Sequence, residues 1–163
     1  SLGMASIFPP NLLKSSLASS VIFFQYTPDV VDFTSSISAS LPTLEITTVT
    51  GYYDYTSKYT KGLCEHIIPA RIDSKLRNKA KEIAVDSYKI LNCKGFARAD
   101  FMVKGEDIYL IDINTIPGFT EMSLLPDAAK AIGIDFDQLT DYIVDMAQGV
   151  EFPFAKYQDQ IIE

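Results

Sequence analysis

The segment FARADFMVKGEDIYLIDINTIPGFTEMSLLP, residues 96–126, carries the strongest structural signal in this chain. It predicts strands at 96–103 and 108–114, joined by a short polar turn and followed by a Pro-Gly loop at 115–122 and a helix at 123–132. Two strands with so short a connection pair as an antiparallel hairpin.

Polar side chains fall on one face of each predicted strand. Two-residue alternation places Arg98 with Asp100 on the first strand, and Asp112 with Asn114 on the second. The register decides whether the two faces coincide, because a shift of one residue turns every side chain to the opposite face. A three-residue connection at 105–107, or a compensating bulge, would set Asp100 opposite Asp112 and Arg98 opposite Asn114. We expect one of these two arrangements.

In that register two carboxylates would lie with their Cβ atoms about 5 Å apart. They would repel each other unless a proton or a cation lay between them. With the Asn114 amide oxygen, Asp100 and Asp112 would form an all-oxygen site suited to Mg²⁺ or Mn²⁺, whose remaining ligands are usually waters and substrate phosphates. Arg98 could hold a phosphate or an oxyanion beside them. The alternative is a purely structural ion network of Arg98, Asp100 and Asp112.

The Pro-Gly loop offers further groups for an anion. Pro117 and Gly118 suit the two central positions of a type II turn, which can present the Gly118 N–H to an oxyanion. Ser123 and Leu124 then open a helix, whose N-terminus favours a carboxylate or a phosphate. Ser123 could also be a plain N-cap, and the two roles are compatible.

The remaining segments predict the fold class. Strands are indicated at 21–26 and 44–49, a long amphipathic helix at 74–92, and a second one at 135–148. The order of strands, helix, hairpin and two helices predicts an α+β fold, with a mostly antiparallel sheet and flanking helices, rather than a doubly wound parallel sheet. His66 is predicted to be a partly buried residue with no catalytic role.

The composition is that of an ordinary globular protein and argues against some partners. The 163 residues carry a net charge of −7, which disfavours a nucleic-acid backbone as the partner. No segment is long and apolar enough for a membrane span. Cys64 and Cys93 lack the spacing of a metal site, and they predict free thiols in a reducing cytoplasm.

The motifs of the hairpin and loop resemble the end of the catalytic domain of D-alanine–D-alanine ligases, which are ATP-grasp enzymes. The matching segments are RADF from Arg98, DINTIPGFT from Asp112 and SLLP from Ser123. The acid-x-Asn-x-x-Pro-Gly core resembles ATP-grasp enzymes broadly, and the Thr-x-x-Ser-Leu-x-Pro continuation narrows the resemblance to D-alanine ligases.

Three upstream segments extend the resemblance. LPTLEI from Leu41 is similar to the strand before the active-site loop of these ligases, and YDYTSKY from Tyr53 is similar to that loop. PAR from Pro69 resembles the segment before their long helix. The resemblance implies an ADP-forming ligase that joins two D-alanines through an acyl phosphate, for peptidoglycan precursor synthesis in the cytoplasm, with ATP as co-substrate.

The resemblance also implies a role for each matching residue. Asp100, Asp112 and Asn114 would hold two Mg²⁺ (or Mn²⁺) ions, while Arg98 and the Gly118 amide would stabilise the acyl-phosphate and tetrahedral species. The carboxylate of the second D-alanine would bind Lys58, Ser123 and Leu124. Tyr59 would help to order the loop over the site, and Asp32 would contact the ribose of the nucleotide.

The chain departs from the family pattern in three ways. Asp112 stands where the family usually has glutamate, the region before Leu41 matches poorly, and the sequence has no Gly-rich phosphate loop. We therefore expect a partial, divergent piece of the ATP-binding subdomain at 1–40, a C-terminal catalytic subdomain at 41–150 and a tail at 151–163. As part of a longer enzyme, this chain would be inactive alone.

Two other interpretations stay open from the sequence. One is a non-catalytic or degenerate ATP-grasp domain that keeps the fold, which the Asp112 change favours. The other is an ATP-grasp ligase with a different acceptor, such as D-serine or D-lactate. A homodimer is compatible with both, because exposed apolar surface can drive association.

Overall fold

The computed structural model describes residues 17–25, 40–48, 64–150 and 152–161. Five strands form one antiparallel sheet in the order β3-β2-β1-β4-β5, and helices flank it. The predicted α+β architecture is confirmed. The elements are β1 (Leu17–Gln25), β2 (Leu44–Thr48), β3 (Cys64–Ile67), α1 (Ser74–Ile90), β4 (Gly95–Lys104), β5 (Asp107–Asn114), α2 (Leu124–Lys130), α3 (Phe136–Ala147) and α4 (Phe154–Ile161).

Helix α1 covers one face of the sheet. The Asp73 carboxylate caps its N-terminus by accepting a hydrogen bond from the Lys75 N–H at 2.8 Å. The buried side of the helix packs on the apolar face of β4, in a cluster made of Ala80, Ala84, Val85, Ala99 and Phe101. The 3.6-residue spacing of these apolar positions is what makes the helix amphipathic.

The opposite face carries helices α2 and α3 over β2. Leu44 and Ile46 of β2 lie in the main core with Leu124 and Leu125 of α2 and Leu139 of α3. One pairing row crosses the whole sheet from His66 through Ile46 and Ala18 to Met102 and Tyr109. Directly paired residues share a face. Met102, and with it the alternating residues Arg98 and Asp100, therefore lie on the same side of the sheet as α2 and α3.

The predicted tail contains helix α4, which packs against α3. Phe152 and Tyr157 belong to the main core, and the hydroxyl groups of Tyr142 and Tyr157 are 2.8 Å apart. The division of the chain into subdomains stays a prediction. Among the described residues, no helix is both long enough and apolar enough to cross a bilayer.

An ion pair between the buried Glu45 and the largely exposed Arg71 fixes the chain after β3. The Glu45 side chain has no exposed surface, and its carboxylate accepts hydrogen bonds from three groups of Arg71: the backbone N–H at 2.9 Å, Nε at 3.1 Å and Nη2 at 2.8 Å. These hydrogen bonds satisfy the charge that burial would otherwise penalise. They hold the pKa of Glu45 below its usual value, against the opposing effect of desolvation.

Replacing Glu45 by glutamine should lower the free energy of unfolding at neutral pH by about 1–3 kcal/mol, since hydrogen bonds to a charged group are lost. A carboxylate with a depressed native pKa stabilises the fold above its unfolded pKa of about 4.3, and that contribution disappears as the pH falls through the native pKa. The difference in Tm between wild type and Glu45→Gln, measured by circular dichroism, should therefore be smaller at about pH 3 than at about pH 7.

Glu82→Gln, at an exposed position of α1, is the matched control and should leave Tm nearly unchanged at every pH. A Tm difference for Glu45→Gln that stays constant with pH would contradict the assigned role of the ionised carboxylate.

Candidate functional site

The β4–β5 hairpin contains a β-bulge that sets its register. Its turn consists of two residues, Gly105 and Glu106, so the predicted three-residue connection is wrong and the alternative, a compensating bulge, is confirmed. Phe101 pairs with Leu110 and Asp100 pairs with Asp112, so Ile111 is the extra residue. In a regular hairpin with this turn, Asp100 would face Ile111, and Asp112 would point at α1.

The bulge brings the four polar residues of the hairpin onto one face. Asp100 pairs with Asp112 and Arg98 pairs with Asn114, as the sequence predicted. Asp112 is exposed, whereas the other three are partly buried. The arrangement therefore gives an acidic patch, open on the Asp112 side, with an arginine and an amide beside it.

Arg98 and Asp100 form a bidentate ion pair. Nε of Arg98 is 2.8 Å from Oδ1 of Asp100, and Nη2 is 2.7 Å from Oδ2. The side chains are 14% and 29% exposed, so solvent screens the pair only partly. The Arg98–Asp100 part of the structural ion network, which was the alternative to a metal site, is therefore present. Each oxygen of an ionised carboxylate has two lone pairs, so Asp100 can accept these hydrogen bonds and still offer an oxygen to a cation.

Asn114 ends the hairpin in a defined orientation. Its Oδ1 accepts a hydrogen bond from the Ile116 N–H at 3.0 Å, which turns the chain at the end of β5. The amide oxygen keeps a second lone pair for a ligand. Within the described ranges, no group of three or more His, Cys, Asp or Glu residues could hold a metal. Asp100, Asp112 and Asn114 nevertheless fit Mg²⁺, which prefers oxygen ligands and usually completes its shell with water and phosphate.

The type II turn predicted at Pro117–Gly118 is wrong. That turn needs a positive φ at Gly118, and Gly118 does not adopt one. A Cβ at this position would lie 3.2 Å from Oγ of Ser123, a tight contact that a small shift of the Ser123 side chain would have to relieve. The loop therefore brings its backbone at Gly118 close to the Ser123 hydroxyl.

Ser123 occupies the N-cap position of α2 but does not cap the helix with its side chain. Its Oγ instead accepts a hydrogen bond from the Thr120 N–H at 3.0 Å and lies 2.9 Å from Oγ1 of Thr120. The prediction that Ser123 takes the N-cap position is confirmed, but its side chain makes no capping hydrogen bond. Leu124 follows as the first residue of α2, with its side chain buried in the main core.

A histidine–aspartate pair joins α2 to the sheet. Nδ1 of His66 in β3 is 2.5 Å from Oδ2 of Asp127 in α2, and the two side chains are 20% and 31% exposed. His66 is partly buried, as predicted. Asp127 carries no local signal in the sequence, because its partner is 61 residues away. The pair fixes the helix that Ser123 opens against the edge strand β3.

Three predicted site residues, Asp32, Lys58 and Tyr59, lie outside the described residues. The structure describes the other predicted positions. Arg98, Asp100, Asp112 and Asn114 lie on the side of the sheet that carries α2. Gly118 and Ser123 lie in the segment between β5 and α2, and Leu124 is the first residue of α2.

Comparisons with known proteins give one consistent result. The family model described as the D-ala D-ala ligase C-terminus matches residues 30–145. The chain is 54% identical over 106 residues to a D-alanine--D-alanine ligase of Carboxydothermus hydrogenoformans, which covers 64% of this chain and 34% of the relative.

Two solved structures are similar in fold. A D-alanine--D-alanine ligase from Bacillus anthracis, complexed with ATP, has a TM-score of 0.61 at 24% identity, over 81% of this chain and 38% of that chain. The VanG D-Ala:D-Ser ligase from Enterococcus faecalis has a TM-score of 0.57 at 32% identity, over 80% and 36%. The chain spans about a third of the length of the curated relatives it matches.

The His66–Asp127 pair should contribute measurably to stability. His66→Ala and Asp127→Ala should each lower the free energy of unfolding, and the double variant should cost less than the sum of the two, with a coupling of about 0.5–3 kcal/mol. The physical reason is that either single change leaves a partly buried polar partner unmatched. Urea unfolding of the four proteins measures this coupling.

The Asp86–Lys89 pair on α1 serves as the control cycle. Its atoms are 3.9 Å apart and Asp86 is 71% exposed, so its coupling should stay below about 0.5 kcal/mol. Equal coupling in the two cycles would show that the His66–Asp127 contact adds nothing.

Proposed function

The chain belongs to the family of D-ala D-ala ligase C-terminal domains, and on that premise we propose that it forms the C-terminal part of an ATP-dependent ligase that joins two D-alanines. The observation that supports this most is the bulged hairpin, which puts Arg98, Asp100, Asp112 and Asn114 on one face. Carboxylates, an amide oxygen and an arginine on one surface suit a metal-bound nucleotide and its transferred phosphate.

In this proposal, Asp100, Asp112 and Asn114 hold Mg²⁺ or Mn²⁺ and ATP is the co-substrate. When bound, the metal neutralises phosphate charge and orients the phosphates for transfer. Asp112 is one methylene shorter than the glutamate usual in the family, so it reaches less far from β5. Asp32 is assigned to the ribose of the nucleotide.

Arg98 and the Gly118 N–H are assigned to the negative charge that develops during the reaction. Asp100 holds the guanidinium through Nε and Nη2, so the orientation of Arg98 is set before a substrate arrives. A donor fixed in advance stabilises an oxyanion more than a mobile one does, because no reorganisation is needed. The species to be stabilised are the acyl phosphate of the first D-alanine and the tetrahedral adduct that follows.

Ser123 and the Leu124 N–H are assigned to the carboxylate of the second D-alanine, together with Lys58, while Tyr59 orders the loop over the site. Holding the acceptor by its carboxylate leaves its amine available for the carbonyl carbon of the acyl phosphate. A C–N bond forms, the C–O bond to phosphate breaks, and the amine loses a proton. The products are D-alanyl-D-alanine, ADP and phosphate.

We place the reaction in the cytoplasm, as a step of peptidoglycan precursor synthesis. ATP is available there, and a free thiol such as that of Cys93 is stable under reducing conditions. The chain corresponds to about a third of its curated relatives, so turnover is assigned to this part acting with the remaining two-thirds of such a ligase.

A ligase with a different acceptor is the second candidate. The similarity to a D-Ala:D-Ser ligase favours it, because the two acceptors differ by one hydroxyl group. The acceptor carboxylate would bind Ser123 and Leu124 in both cases, so the described residues support the two readings equally. Titrating the protein in parallel with D-alanine and with D-serine, and comparing the two affinities, separates the two candidates.

A metal–nucleotide complex should stabilise this chain against heat. At ten times its Kd, Mg²⁺–ADP adds about 1.4 kcal/mol to the free energy of unfolding, which raises Tm by about 3–6 °C at this chain length. Asp100→Asn should abolish that increase, because the site loses a charged oxygen ligand. Differential scanning fluorimetry with and without Mg²⁺–ADP measures both shifts.

Asp107→Asn, at the exposed start of β5, is the matched control and should keep the full increase in Tm. An equal increase in Asp100→Asn and wild type would rule out the hairpin as the metal site. No increase in wild type would contradict the prediction that this chain by itself binds Mg²⁺–ADP.

The isolated chain should release no ADP when mixed with ATP, Mg²⁺ and D-alanine, because it supplies only part of the proposed site. A coupled assay for ADP makes this measurement. Turnover above the rate without protein, retained after further purification and abolished by Asp100→Asn, would contradict the assignment.

A further inference from the structure

The Arg98–Asp100 ion pair changes the charge that the hairpin presents to a cation. Nε of Arg98 donates to Oδ1 of Asp100 at 2.8 Å, and Nη2 donates to Oδ2 at 2.7 Å, so both carboxylate oxygens face a positive charge. The two side chains are only 14% and 29% exposed, which limits the screening of the pair by dissolved salt. The negative charge of Asp100 is therefore largely offset by the protein itself.

Asp112 has a different environment, although it pairs with Asp100 across the hairpin. It is exposed, and within the described ranges its carboxylate takes part in no ion pair and no side-chain hydrogen bond. Counted together, one arginine and two aspartates carry a single net negative charge, and Asn114 adds only a neutral amide oxygen. The affinity of an oxygen-ligand site for a divalent cation depends on how many of its ligands are charged. These groups are therefore poorly suited to a bare Mg²⁺ or Mn²⁺ ion.

A phosphate group changes this balance. An anion beside Arg98 offsets the guanidinium charge that repels the cation, and the planar fork of arginine suits phosphate oxygens. A phosphate without a metal is also disfavoured, because the two aspartates repel it. Cation and phosphate should therefore each raise the affinity of the hairpin for the other, and thermodynamic linkage makes the two effects equal.

We propose that Arg98 is an internal counter-ion of Asp100 that makes cation binding and phosphate binding depend on each other. This inference rests on the proposed function and concerns the selectivity of the same site. The hairpin takes a metal–phosphate complex in preference to a bare divalent cation or a bare phosphate. The structural ion network and the metal site are then the same groups, without and with their ligands.

Removing the positive charge of Arg98 should strengthen the binding of a bare cation, because Asp100 then presents an uncompensated carboxylate beside Asp112. Mn²⁺ is the probe, and electron paramagnetic resonance of the free ion measures its binding to the full 163-residue chain. Without phosphate, Arg98→Gln should bind Mn²⁺ about threefold to tenfold more tightly than wild type. Arg98→Lys keeps the charge and should stay within about twofold of wild type.

Inorganic phosphate should separate the two proteins further. It should raise the Mn²⁺ affinity of wild type about threefold or more, whereas the affinity of Arg98→Gln should change by less than about twofold. A protein-free blank corrects for the Mn²⁺ that phosphate itself binds. The difference between the two proteins is therefore the contribution of Arg98.

Lys94→Gln is the matched control, because Lys94 is an exposed residue just before β4 and the change removes the same charge. It should leave Mn²⁺ binding within about twofold of wild type, since salt screens distant exposed charges. An equal gain in Lys94→Gln and Arg98→Gln would reveal a general effect of net charge and would overturn the inference.

Two further results separate this inference from the proposed function. Equal Mn²⁺ affinities in wild type and Arg98→Gln, with an equal gain from phosphate, would overturn the role of Arg98 while the metal site stood. No Mn²⁺ binding by wild type, Arg98→Gln or Arg98→Lys, with or without phosphate, would refute the metal site, and the inference with it.

A second measurement needs no metal. The Nε–H proton of Arg98, observed by NMR, should exchange with water more slowly in wild type than in Asp100→Ala, because Asp100 accepts its hydrogen bond. Equal exchange rates would show that the pair does not form in solution. They would overturn the inference even if Arg98→Gln bound Mn²⁺ more tightly.

Discussion

One extra residue in β5 is the constraint on which the candidate site depends. The two-residue turn at Gly105 and Glu106 would by itself point Asp112 and Asn114 at α1. There they would meet the apolar surface made by Ala80 and Ala84, where an unpaired carboxylate is strongly disfavoured. The bulge at Ile111 prevents this, and it turns both residues toward Arg98 and Asp100.

The two faces of the sheet differ in polarity at the β4–β5 end. On the α1 side, β4 presents alanine, phenylalanine and valine, and the ion pair between the buried Glu45 and Arg71 fixes the chain just after β3. On the other side, α2 and α3 cover β2, while the β4–β5 end keeps its polar groups accessible. The His66–Asp127 pair ties α2 to this arrangement, so the loop between the hairpin and α2 is anchored at both ends.

The backbone of that loop is held by local contacts. Asn114 bonds the Ile116 N–H, and Thr120 bonds Ser123, so each end of the loop has its own side-chain hydrogen bond. Gly118 lies between them, at a position where a Cβ would lie 3.2 Å from Oγ of Ser123. In the proposed site, a loop held by such contacts would present N–H and O–H donors to an anion with little reorganisation.

The sequence by itself determined the α+β class, the long helix α1, the hairpin and the identity of the polar residues on its strands. These features follow from alternation and periodicity, which are local properties of the chain. It left open whether a longer turn or a bulge aligned the hairpin, and it assigned Gly118 to a turn that does not form. Only the tertiary structure decided these points and the His66–Asp127 and Thr120–Ser123 contacts. Register depends on which faces the surrounding helices bury, and partners 61 residues apart meet only after the chain has packed.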